Sequence, residues 1–165
     1  MVVPEAAIAR KTTGEVQYVA TPATDVFLSK YQAGPLDRID LIRKGVSTDD
    51  LIMTVEEMGL SKEKVLAWLH LPRATTNRRI KSKEPLSAEH SERLIGLQKL
   101  IGQVESMVIE SGDAAGFNAA QWTADWLQRP LAALDDARPA DFIDTMEGIE
   151  LVSSLLAQAQ SGAFA

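Results

Sequence analysis

The 165-residue sequence contains no cysteine, which excludes disulfides, thiolate metal sites and thiol nucleophiles. Imidazole is almost as scarce: only His70 and His90 are present, with no glycine-rich phosphate loop and no metal-ligand spacing, so neither catalytic residues, a metal nor a cofactor is expected. The absence of an enzymatic constellation points to a binding protein. No long apolar run occurs, and the opening stretch MVVPEAAIARKTTGEV lacks an apolar signal core, so the chain is expected to be cytoplasmic, with neither a secretory signal nor a membrane span. Aromatic residues make up 5% against 45% hydrophobic in all, so the core must be built mostly from aliphatic side chains. At this length such a core needs no covalent staple, and one or two small domains fit.

The net charge of −6 is unevenly distributed. Between Leu60 and Leu100 nine basic residues face four acidic ones, a net of +5. From Ile101 to Ala165 only Arg129 and Arg138 oppose ten acidic residues, a net of −8. The basic part suits phosphate, whereas the acidic part would be repelled by nucleic acid and suits a protein partner with a basic surface.

The stretch LSKEKVLAWLHLPRATTNRRIKSK, from Leu60 to Lys83, reads as two short helices joined by a tight turn. Ser61 is placed to cap the first, on which Val65, Leu66 and Leu69 share a face. Pro72 ends that helix near Leu69 or His70, and the second starts near Arg73. The second helix carries Arg73, Thr75, Thr76, Asn77, Arg78, Arg79, Lys81 and then Lys83, with no carboxylate before Glu84. In a helix-turn-helix this is the element that meets base edges, with Arg suited to guanine, Asn to adenine, and the remaining cations to phosphates. These eight residues are the candidate DNA contacts; the competing reading is a solvated helix face on a plain packing motif.

An all-α chain is expected elsewhere. Residues 1 to about 45 read as an N-terminal arm and a short helix from Pro35 to Gly45; alternatively the apolar runs before Pro35 pack on the body through Phe27, Leu28 and Tyr31. Residues 46–87 form the helix-turn-helix region, its first helix capped by Ser47 or Thr48 and burying Leu51, Ile52, Val55 and Met58. Residues 88–165 open with a long helix whose Leu94, Leu97, Ile101, Val104 and Val108 recur at alternating three- and four-residue spacing, either as a dimer seam or as the central stripe of a bundle. Asn118 caps a helix bearing Trp122 and Trp126, Pro139 starts a short one, and the last runs to Gln160.

The order GLSKEKVLAWLHLPRATTNRRI, LSAEHSERLIGLQKLI, ADWLQRPLAALDDARPADFI and a final SGAFA resembles the Xre antitoxins of RES-Xre toxin-antitoxin modules, the ParS- and MbcA-like antitoxins, over about Val46 to Ala165. The resemblance implies a helix-turn-helix region followed by a small helical toxin-binding domain, a RES toxin that consumes NAD as partner, operator DNA as a second ligand, and a homodimer within a larger complex. It further implies that the C-terminal end blocks the toxin's active site, which here places Leu156, Gln160, Ser161, Gly162, Ala163, Phe164 and Ala165 at the toxin. Phe164 would supply an apolar anchor and the terminal carboxylate a partner for basic groups. The chain departs from the family pattern at His70, where the turn usually has Gly, at Thr76, where an aliphatic is common, and at Asp135-Asp136, where a Gly-containing turn is usual. The alternative function is a stand-alone dimeric helix-turn-helix regulator.

Overall fold

A computed structural model describes residues 11–12, 15–16, 22–112 and 114–162. A two-rung antiparallel pairing, β1 (Lys11–Thr12) with β2 (Glu15–Val16), precedes eight helices: α1 (Pro22–Gln32), α2 (Pro35–Lys44), α3 (Thr48–Met58), α4 (Lys62–Trp68), α5 (Arg73–Ser82), α6 (Ala88–Ser111), α7 (Ala119–Leu127) and α8 (Met146–Gln160). Two single 3-10 turns, Ala132–Leu134 and Pro139–Phe142, link α7 to α8.

Side chains fix where five of these helices begin. The hydroxyls of Ser47, Ser61, Ser87 and Thr145, and the Asn118 side-chain oxygen, each accept from the backbone N–H three residues on, at 3.0–3.2 Å. Each supplies one partner that a helix N-terminus otherwise lacks.

The 24 residues of α6 form the axis of the molecule, and α1, α2, α7 and α8 pack around it. Leu94, Leu97 and Ile101 are fully buried and Val104 nearly so, while Val108 lies partly buried at the edge of the same core. Burial continues around the helix through Ile95, Gln98, Leu100 and Gln103. The five-residue stripe is therefore covered by this chain's own helices, which rules out a coiled-coil dimer seam along it. Two buried amides on α6 bond to neighbouring helices: Gln98 donates to the Thr54 hydroxyl on α3 at 3.2 Å, and Gln103 donates to the Ser153 carbonyl on α8 at 3.0 Å while accepting from the Ser153 hydroxyl at 2.7 Å. Those bonds set the rotation of α6 against α3 and α8 more sharply than apolar contact alone could.

The N-terminal region departs from a loose arm. From Pro22 it is helical, and α1 makes the most extensive packing contact on α6. Phe27 is buried in that contact, Leu28 is half-buried, and Tyr31 remains exposed. Gly102 permits the close approach, because a Cβ there would overlap the Phe27 carbonyl and crowd the Tyr31 side chain.

Candidate functional site

The position of α5 is set by the turn before it. Leu66 and Leu69 of the first helix are fully buried, Leu71 nearly so, and the chain reverses at His70, whose φ is +49°. This is the left-handed conformation that glycine adopts without strain, so His70 carries a backbone cost. Arg93 on α6 secures the turn by donating to the Leu69 and His70 carbonyls at 3.3 and 3.0 Å, and is itself held by Glu89 at 2.6 Å. Asp135 and Asp136 likewise have positive φ, +52° and +64°, in the turn after Leu134.

The eight candidate DNA contacts on and after α5 are not equivalent. Arg73, Arg78, Lys81 and Lys83 are exposed, Thr75 and Asn77 half-buried. Arg73 lies 3.9 Å from Glu63 and Lys83 3.5 Å from Asp49, so both cations are partly neutralised; among the described residues Arg78 and Lys81 have no carboxylate at ion-pair distance. Arg79 is half-buried and donates to the Pro85 carbonyl at 2.6 Å, bracing the α5–α6 connection. Thr76 must be withdrawn as a DNA contact: it is fully buried, because its position on α5 faces the core. Its hydroxyl has no hydrogen-bond partner there, a desolvation cost that an aliphatic of the same shape would avoid. Thr76→Val is accordingly expected to raise unfolding free energy by about 1 kcal/mol, read as a shift of the urea midpoint at constant m-value.

The acidic end is built on α7 and α8. Trp126 is buried and stacks on Trp122, ring centroids 6.2 Å apart, and Trp122 is left half-exposed. Ile149, Val152, Leu155 and Leu156 seat α8 on the core. Leu156 is fully buried and anchors the helix, at the floor of a groove lined also by Val104 and Val108 of α6 and Trp122 of α7. Gln160, Ser161 and Gly162 are exposed, and Gly162 turns the chain with φ +73°. Ala163, Phe164 and Ala165 lie outside the described residues.

Two features have no counterpart in the linear pattern. An apolar groove of about 310 Å³, walled by Val108, Phe117, Trp122, Leu156 and Ala159, opens beside the last turn of α8. Glu105 is buried on α6, and burial pushes its carboxyl up to about 7. It shares a small cavity with Phe27, Glu57, Phe117 and Asn118.

The fold is a short helix-turn-helix with an exposed basic second helix, joined through a long core helix to an acidic helical end. Residues 37–99 match the antitoxin Xre-like helix-turn-helix domain and residues 114–162 the antitoxin Xre/MbcA/ParS C-terminal toxin-binding domain. A relative from Sphingobium sp. (strain YBL2), the Prs ADP-ribosylating antitoxin, is 45% identical over 157 residues, covering 95% of this chain and 96% of its own length. The chain belongs to the Xre/MbcA/ParS antitoxin family and carries both its helix-turn-helix and its toxin-binding domain. No helix among the described residues is long and apolar enough to cross a membrane.

Proposed function

We propose that this antitoxin neutralises a RES-family, NAD-consuming toxin in the cytoplasm by binding it through residues 88–165 and closing its active site with the run Gly162 to Ala165, and that it represses its own operon by placing α5 on operator DNA. It acts as an inhibitor and regulator, without catalysis of its own. The observation that carries the reading is the exposure of the end of α8. The helix is fixed on the core by four buried aliphatics, yet its last turn, Ser161 and Gly162 are exposed, so a rigid element holds them at the surface for a partner. A short run of chain fits a concave site that a folded surface cannot enter. The name of the Sphingobium relative, an ADP-ribosylating antitoxin, supports a partner of ADP-ribosyltransferase chemistry.

Expressing the neighbouring toxin gene alone should stop growth and deplete cellular NAD, and co-expressing this chain should restore both. A harmless neighbour, or growth arrest that persists beside the full chain, would remove the toxin reading. For the DNA half, Arg78→Ala with Lys81→Ala is expected to weaken operator binding and lower the slope of log K against log salt by about 2, since each of the two cations neutralises one phosphate. Arg79 is a poor probe, because its removal also frees the Pro85 carbonyl. An unchanged slope would take the exposed face of α5 off the DNA.

A further inference from the structure

The fold brings cations from an earlier helix to the exit of α5. Arg43 and Lys44 end α2; both are exposed, and among the described residues neither has a carboxylate at ion-pair distance. The chain then turns at Gly45, with φ +85°, where a Cβ would stand 2.5 Å from the Leu86 carbonyl oxygen and 3.2 Å from the Pro85 side chain. Leu86 donates to the Val46 carbonyl at 2.9 Å, and Val46 donates to the Ser91 hydroxyl at 2.8 Å. Those two bonds and the missing Cβ hold the end of α2 against the connection between α5 and α6. The same connection is gripped from α5 by Arg79, which donates to the Pro85 carbonyl, and Lys83 reaches from it to Asp49 of α3. Arg43 and Lys44 therefore stand beside the last turn of α5, although α3 and α4 separate them from it in sequence.

The surface formed there is basic. The two carboxylates in the first turn of α3 are compensated, Asp49 by Lys83 at 3.5 Å and Asp50 by Lys30 of α1 at 3.9 Å. Asp40 and Glu84 remain, against Arg43, Lys44, Arg78, Arg79 and Lys81. When the first residues of a reading helix meet base edges, its last turn lies nearer the rim of the groove, and the connection behind it faces the phosphate strand along that rim. Cations beside that connection meet phosphate oxygens, which fixes position on the duplex without reading its sequence. At the C-terminal end of α2 the two charges also complement the helix dipole, so they stabilise the element that carries them.

We infer that Arg43 and Lys44 form a second DNA contact, gripping the phosphate strand at the exit of α5. The inference rests on the operator-binding reading and extends the DNA surface from α5 to the end of α2. It is tested by fluorescence anisotropy of the full chain on two labelled duplexes of equal length, one carrying the DNA just upstream of its own gene and one with that sequence shuffled. The salt range is about 50 to about 200 mM. Arg43→Ala with Lys44→Ala should make the slope of log K against log salt shallower by about 2 per bound chain on both duplexes. Affinity for the two should fall by the same factor, leaving their ratio at the wild-type value, because phosphates are common to both. Arg43→Lys, which keeps the charge, should keep the wild-type slope. Adding Arg78→Ala and Lys81→Ala to the double variant should bring the total change to about 4, since the two pairs hold different phosphates. Helix content should stay at the wild-type value throughout, the substituted side chains all being exposed. An unchanged slope for Arg43→Ala with Lys44→Ala, or a loss of affinity confined to the upstream duplex, would overturn the second contact. If the slope falls only for Arg78→Ala with Lys81→Ala, the operator-binding reading stands and this inference alone fails. A wild-type chain that binds neither duplex would remove both.

Discussion

A chain ending at Ser161 is expected to fold with unchanged helix content and thermal midpoint and to lose neutralisation of the toxin altogether. The first half of that expectation follows from burial. The innermost side chains of α8 are Ile149, Val152, Leu155 and Leu156, while every residue from Ala157 to Gly162 is exposed, so the cut removes no buried side chain among the described residues. The second half rests on the proposed mechanism, in which the domain brings the tail to the toxin and the tail closes the site. The truncated chain should therefore still bind in a pull-down while growth and NAD collapse as they do with toxin alone. Phe164→Ala should be intermediate: burying a phenylalanine side chain contributes about 1.5–3 kcal/mol, so its loss weakens the complex by roughly 10- to 150-fold. If the truncated chain rescues growth as well as the full one, the tail does not block the site, and the groove beside Trp122 becomes the surface to mutate.

Most of the helices are legible in the sequence because the chemistry that sets them is local. A capping oxygen, an apolar stripe and a stop residue lie within a few positions of each other, which is why Ser47, Ser61, Pro72 and Ser87 mark the starts of α3, α4, α5 and α6. The region before Pro35 is harder to read because what orders it is distant. Phe27 becomes a core residue only because Gly102, on a helix far along the chain, leaves room for its backbone. The stripe on α6 is legible as apolar but not as covered, since the helices that cover it arrive from both ends of the sequence. The candidate site shows the same division. The basic character of α5 is a property of composition, but which face points outward is decided by packing, and that puts Thr76 inside, ties Arg79 to Pro85 and leaves Arg78 and Lys81 the least encumbered cations. At the chain end, the family pattern groups Leu156 with the residues that follow it, and only the fold separates the anchor from the exposed end.

Glu105→Gln is expected to stabilise the protein above neutral pH by as much as about 3 kcal/mol, and not to do so below pH 5. Glu105 is 3% exposed on α6, and no hydrogen bond or ion pair of its carboxyl is found among the described residues. Its cavity is lined from α1 by Phe27, from α3 by Glu57 and from the segment leading into α7 by Phe117 and Asn118, with no cation among them. Burial alone raises the carboxyl from 4.5 to about 7. A carboxyl with its folded pKa raised keeps its proton over a range where the unfolded chain releases it. The folded state is thus penalised increasingly as pH rises from about 4.5 to about 7, and the full penalty applies above that. Glutamine has nearly the same shape and no charge to desolvate, so the penalty should vanish with the substitution. For a chain of this length about 3 kcal/mol corresponds to roughly 6–12 °C in Tm. The measurement is Tm of both proteins at pH 5 and pH 8. His90, whose pKa is lowered by burial, acts in the other direction, destabilising the fold as pH falls through its ordinary value of 6.5. It is common to both proteins and cancels in the difference. A Tm difference between variant and wild type that is the same at both pH values would mean that Glu105 is ionised in the fold at little cost, with the cavity it shares with Glu57 open to water.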